Sequence, residues 1–310
     1  MAVRFLLRRL FSAFLVLAAV SLLVFVLLDQ TPGDAVDTLL GDSASVSQQE
    51  MLRHQLGLDR PLLVRYLYFA RAALWHGDLG RSLISGQEVS TLVLARFGYT
   101  LTLTLTATLL ALAWGLLAGT MAAARAGGLT DLAITAVATL GLSAPTFWVA
   151  LLLVLLFSLR LKWLPVQGAA GPSHLVLPAL TLALPMAAVV ARLVRASLLE
   201  VQQSDYVQTA RAKGLPTRLI WRRHILRNSL IPLLTLLALH LGRLLGGMFI
   251  VETIFAWPGL GRLLVQAIFD RDFPVVTGAA LLTATIYQGL NLVVDVSHAF
   301  LDPRVAGETL

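Results

Sequence analysis

The stretch Tyr99–Met121, YTLTLTLTATLLALAWGLLAGTM, admits two readings that lead to different folds. Its first ten residues alternate polar and apolar, the period of a strand, and a transmembrane barrel strand of about ten residues would fit them. The apolar run then continues without interruption to Met121, long enough for a helix to cross the roughly 30 Å of a bilayer's hydrocarbon. No other apolar run in the chain alternates. The stretch is therefore expected to be a helix, in which each threonine can bond a carbonyl of the preceding turn and so costs little in lipid.

Working outward, six such runs stand out, near residues 10–28, 99–121, 132–158, 175–191, 229–251 and 275–300. Over 310 residues the chain is 57% hydrophobic and only 13% charged, with a mean hydropathy of +0.80. A soluble domain carries about a quarter charged residues, so the lipid bilayer is the expected solvent. The first run follows Arg4, Arg8 and Arg9, as a signal peptide would. Its apolar core exceeds the ~7–15 residues of such a segment, and it reads as an uncleaved span.

The net charge of +7 sorts to one side. With the N-terminus inside, thirteen Lys and Arg fall in inside segments, eight of them between spans four and five, against four in the two short outside loops. The long first outside loop, 29–98, holds six more and lies beyond the reach of the positive-inside rule. The excess charge thus encodes an N-in, C-in topology and not a nucleic-acid footprint. The expected fold is all-α and polytopic: six transmembrane helices with short amphipathic helices in the outer loop. One of these is marked by a capping-box pattern at Ser47–Glu50 and another opens near Asp59 and Pro61.

Ala111, Gly115, Gly119 and Ala123 recur every four residues, as do Gly242 and Gly246, a spacing that lets helix backbones approach closely in lipid. Pro178 and Pro185 share a face of span four and can kink it. His240 and Arg243 fall mid-span; a charge there should face the bundle interior, either lining a pathway or satisfied by an interhelical hydrogen bond. Trp257, in FAWPGLGR (Phe255–Arg262), suits a membrane interface.

Several chemistries are excluded. There is no cysteine, hence no thiolate metal site, and the histidines form no short metal-binding spacing. Neither lysine, Lys162 or Lys213, sits in a phosphate-binding GxxxxGK[ST] loop, so the chain does not bind ATP by that route. A GxSxG elbow is absent. The spans show almost no acids of the kind a proton-coupled carrier needs. Whatever energy drives this protein is expected to come from elsewhere.

The largest inside loop, 200–228, carries DYVQTARAKGL (Asp205–Leu215) and then RRHILRN (Arg222–Asn228). Taken as a helix over Glu200–Arg211, it puts Tyr206, Val207 and Ala210 on one side. Gly214 can stop it in a left-handed turn, and Pro216 starts a second short segment. The result is a compact knob, fit for another protein's cleft or, alternatively, an amphipathic surface held on anionic headgroups by Arg218, Arg222 and Arg223.

This loop resembles the cytoplasmic coupling loop of ABC-importer permeases, EAA, three residues, then G. Gln208, Thr209 and Ala210 stand at the EAA positions and Gly214 at the glycine; only Ala210 and Gly214 match the letters. His224 to Arg227 stands where the general pattern has Ile-x-Leu-Pro. LGLDRPLLVRYLYF (56–69), GDLGRSL (77–83), SAPTFW (143–148), WLPVQG (163–168), HLVLPALTLALP (174–185), VETIFAWPGLGR (251–262), RDFPVV (271–276) and LDPR (301–304) resemble one subfamily from end to end. It is the first permease subunit of dipeptide, oligopeptide and nickel importers.

The resemblance implies a single transmembrane domain over 1–310 in a bacterial-type inner membrane: a span at 1–28, the outer region 29–98, a five-span core over 99–300 and a tail at 301–310. It implies no catalytic activity and no cofactor in this chain, ATP and Mg being held by two partner ATPase subunits. A second, homologous permease and an extracytoplasmic solute-binding protein are the other implied partners. Coupling would fall to Gln208, Thr209, Ala210 and Gly214, with Asp205, Tyr206 and Lys213 included by adjacency. Short peptides are the expected cargo, with nickel or a metal chelate as the alternative, and an ion-coupled carrier or membrane enzyme as the rival from another class.

Overall fold

A computed structural model describes residues 2–30, 36, 40, 45–221, 225–229 and 248–301. Among the described residues the architecture is helical and contains no strand, only an isolated bridge between Arg81 and Glu88. The elements are α1 (Ala2–Gln30), α2 (Val46–Leu56), α3 (Leu62–His76), α4 (Val89–Ala124), α5 (Leu129–Ser143), α6 (Thr146–Leu153), α7 (Pro172–Gln203), α8 (Asp205–Ala212), α9 (Thr217–Ile220), α10 (Leu226–Ser229), a helical segment at 248–254, α11 (Leu260–Phe269) and α12 (Phe273–Leu301). The chain divides into two compact units, Met1–Thr100 with Pro258–Leu292, and Leu101–Trp257 with Val293–Leu310.

The alternating stretch is helical throughout. Thr100, Leu103, Thr104, Ala107, Thr108 and Ala111 are buried while Leu101, Leu105 and Leu109 are exposed. Burial thus follows steps of three and four, not two. α1, α4, α7 and α12 are long and apolar enough to cross a membrane. The single span expected at 132–158 is instead two helices, α5 and α6, bent by 106° at a break. Pro145 is the cause: it lacks an N–H and pushes Ala144 into an extended conformation (φ −78, ψ 125). Beyond α6 the backbone widens into a π-helical turn, Val154–Arg160. Most of the fifth expected span, with Gly242, Gly246, His240 and Arg243, lies outside the described residues.

In the first unit, α3 lies along the end of α1. Phe25 meets the rings of Tyr66 and Phe69 at 5.5 and 5.1 Å, and the Tyr66 hydroxyl donates to the Ala18 carbonyl. Both helices expected within residues 29–98 are present, but the capping box of α2 sits two residues earlier than the sequence pattern suggested. Ser45 Oγ accepts from the Gln48 N–H, and the Gln48 side chain accepts from the Ser45 N–H. The loop between α3 and α4 is tied down by a buried acid: Asp272 accepts from Ser82 Oγ and from the Leu83 N–H.

In the second unit α7 is the central helix, running without a break through Pro178 and Pro185 and reaching twelve residues beyond the expected end at 191. Its extension is amphipathic, burying Val194, Ser197 and Leu198. The Gly115 and Gly119 stripe of α4 is pressed against it. A Cβ at Gly115 would stand 2.5 Å from Val190 Cβ, and one at Gly119 would stand 2.6 Å from the Ala191 carbonyl oxygen. The small residues are therefore required by backbone proximity and do not merely reflect an apolar composition. Trp257, expected to suit a membrane interface, is buried with Phe255, Met248 and Val251 and so turns its ring to protein and not to lipid or water.

Gly115→Ala and Gly119→Ala are each expected to destabilise the protein by about 1–3 kcal/mol through overpacking. Gly98→Ala, whose Cβ meets nothing within 4 Å, should be neutral or slightly stabilising. Thermal unfolding of the purified protein checks this ordering; equal midpoints for all three would contradict the close approach.

Candidate coupling knob

The sequence-predicted loop folds as a helix–turn–helix at the end of α7. One helix over Glu200–Arg211 was expected, but the chain breaks at Ser204 (φ −66, ψ 148). The Ser204 N–H and Oγ both donate to the Val201 carbonyl, closing α7. Its own carbonyl accepts from the Val207 and Gln208 N–H groups, opening α8. One residue therefore ends one helix and starts the next. Asp205 stands in the first turn of α8, where a carboxylate interacts favourably with the helix dipole.

The other end is a Schellman turn. The Gly214 N–H donates to the Arg211 carbonyl at 2.9 Å, and the Leu215 N–H donates to the Ala210 carbonyl at 3.3 Å. Gly214 is left-handed (φ +71), as its position in the sequence suggested, and a Cβ there would meet nothing within 4 Å. The glycine is thus demanded by backbone conformation, not by crowding. Pro216 follows, and its carbonyl accepts from Leu219 and Ile220 to start α9.

Burial sorts the seven residues singled out from sequence. Ala210 points inward with Val207, and both join a buried cluster containing Ala111 and Ala123 of α4, Val190, Val194 and Leu198 of α7, Ile220 of α9 and Ile225. Asp205, Gln208, Thr209, Lys213 and Gly214 are exposed. Tyr206, expected beside Val207 and Ala210, is 43% exposed and belongs to the outer face. On a helix that turns about 100° per residue, Tyr206 lies at the edge of the Val207–Ala210 stripe and not at its centre. The Gln208 side chain donates to the Gln203 carbonyl and Thr209 Oγ1 to the Asp205 carbonyl, which ties the outer face back onto its own backbone. His240, Arg243 and the basic residues Arg222 and Arg223 lie outside the described residues.

Sequence reasoning missed the buried acids. Glu252 is fully buried and Asp272 nearly so. Asp131, at the start of α5, receives a bidentate pair from Arg195 of α7, Nε to Oδ1 at 2.5 Å and the second guanidinium nitrogen to Oδ2 at 2.7 Å. The Gly127 N–H donates to the same carboxylate. Arg195 lies nine residues before Ser204, so this pair fixes α7 just ahead of the knob. The signal was present: an acid opening an apolar helix after Gly127-Gly128, and an arginine directly flanked by Leu193, Val194 and Ala196.

Two family models cover nearly all of the chain. One, described as a binding-protein-dependent transport system inner membrane component, matches residues 115–307. Its N-terminal companion matches residues 2–104. A Brucella ovis protein described as a peptide permease is 40% identical, covering 97% of this chain and 98% of its own. The glutathione transport system permease protein GsiC of Escherichia coli K12 is 40% identical over the same shares. Among solved structures, the MetNI methionine ABC transporter in an inward-facing conformation aligns with TM-score 0.56 at 18% identity, over 69% of this chain and 97% of that one. An amino acid ABC transporter with histidines aligns with TM-score 0.55 at 18% identity, over 67% of this chain and 92% of that one. At that identity the likeness is one of fold. The 40% identity and the family match decide the assignment: this chain belongs to the inner-membrane permease components of binding-protein-dependent transport systems.

Proposed function

We propose that this chain is one of two homologous permease subunits of an ATP-driven importer of short peptides. We further propose that the knob Asp205–Leu215 receives the motion of a partner ATPase subunit. The observation that carries the cargo is 40% identity, over 97% of this chain, to proteins named as peptide and glutathione permeases; glutathione is itself a tripeptide. ATP and Mg would be held by two ATPase subunits, since the chain has no phosphate-binding loop of its own, and a binding protein would deliver the solute from outside. An N-in, C-in topology, read from the charge count, puts the knob on the side where ATP is available.

The build of the knob supports the coupling reading. Its outer face presents Gln208, Thr209, Arg211 and Lys213 as exposed side chains that can enter a cleft, while Val207 and Ala210 are sunk in the cluster that also holds residues of α4 and α7. Displacing the knob therefore displaces those spans together, because a close-packed core transmits strain instead of absorbing it. α7, with 32 residues, is about 48 Å long and spans the membrane from the knob outward. Ala210 acts in this scheme as an anchor, and Gly214 as the turn that sets the direction of the following segment.

Two measurements test the proposal. In the reconstituted importer, Gly214→Val strains a left-handed position by about 1–2 kcal/mol and should lower transport per ATP hydrolysed by roughly tenfold while the protein still inserts. Gly214→Asn, which tolerates that conformation, should retain most coupling. Full coupling in the valine variant would contradict the role of the turn. For cargo, a calorimetric panel on the partner binding protein should give short peptides in the micromolar range or tighter; tight nickel-chelate binding without peptide binding would reverse the assignment.

A further inference from the structure

A cavity of about 290 Å³ lies within the first unit, where α1 ends and α12 begins. Both helices are long and apolar enough to cross a membrane. The point where one stops and the other starts is therefore a level at which chain passes between hydrocarbon and water. Its depth is also marked by charge: Asp29, at the end of α1, pairs with Arg65 of α3 at 2.9 Å.

The walls are carbon. Phe25 and Leu28 of α1, Phe69 of α3, and Leu79, Leu83 and Pro274 surround the cavity. The volume is near the lower end of what small ligands occupy, and a mostly apolar lining favours an apolar occupant over water. The rim is cationic. The Arg65 charge is offset by Asp29, but Arg60 has no carboxylate partner among the described residues, and its guanidinium stands 5.4 Å from the centre of the Tyr68 ring. An occupant must therefore be apolar at one end and anionic at the other, and must be present at the membrane boundary. Arg60 supplies a planar fork of donors suited to a phosphate. It is exposed on its other side, so a headgroup can reach it without being desolvated.

We propose that this cavity binds one acidic phospholipid, with its phosphate on Arg60 and part of one acyl chain along Phe25, Leu28 and Phe69. The lipid fills the space between α1 and α3 at the membrane boundary and so holds the first span against the outer helix. It acts there as a structural ligand and takes no part in the transport path.

Native mass spectrometry of the whole importer, taken from membranes containing phosphatidylglycerol and phosphatidylcholine in equal amounts, tests this. The wild type should retain phosphatidylglycerol about tenfold over phosphatidylcholine, a difference set by the headgroup charge. Arg60→Gln should abolish that preference, and Arg60→Lys should keep part of it. Leu28→Trp, which fills the cavity, should lose both lipids while Arg60 remains. Unchanged phosphatidylglycerol retention in Arg60→Gln or in Leu28→Trp would overturn the proposal. So would displacement of the lipid by a soluble acidic peptide, which would assign the cavity to cargo.

Discussion

The close approach of α4 to α7 is the constraint on which the second unit depends. In lipid no hydrophobic force drives two apolar helices together, so contact must come from packing itself. Gly115 and Gly119 permit it by bringing the α4 backbone against the Ala187 and Ala191 carbonyls and the Val190 and Val194 side chains. With α4 at that distance, and with α5, α6 and α10 also packed on α7, α7 side chains from Leu177 to Leu198 are buried. The helix can then carry two prolines in its interior, since surrounding helices shield the freed backbone groups. Larger residues on the stripe would push α4 away and open the cluster that the knob shares.

From that packing follows the position of the functional candidate. The knob is not a loop appended to a bundle. Val207 and Ala210 belong to the same buried cluster as Ala111, Val190 and Val194. Asp131 and Arg195 add a directional constraint, a bidentate pair whose planar geometry fixes rotation as well as distance. A chain built this way can take up motion at one end and express it along two spans. That matches what is asked of a permease that has no phosphate-binding loop and belongs to a binding-protein-dependent transport system.

Much of the architecture was legible in the sequence because lipid leaves few options: long apolar runs become helices, and α1, α4, α7 and α12 fall on four of the expected spans. The glycine stripe was legible for the same reason, as was Gly214, whose place after a short helix fits only a left-handed turn. What the sequence hid was decided by single residues acting locally or by tertiary partners. Pro145 breaks a run whose hydropathy is continuous across it. Ser204 ends one helix with its N–H and hydroxyl and opens the next with its carbonyl, and no composition signal marks that. Trp257 suits an interface by type but is buried by its neighbours. The acids at 131, 252 and 272 fall just outside the expected spans, and their burial depends on distant partners: the arginine that holds Asp131 is 64 positions away and the serine that holds Asp272 is 190 away.

The central claim is that the outer face of α8 contacts the ATPase while its inner face holds the spans. Since the chain has no cysteine, single cysteines can be introduced without background, and thiol-directed crosslinking to the partner ATPase in the assembled importer is the most direct measurement. The account predicts strong crosslinks from positions 208, 209 and 211, changing in yield between nucleotide-free and ATP-bound states, and none from 207 or 210. Equal yields around the helix, or no crosslink from any of its exposed positions, would contradict it.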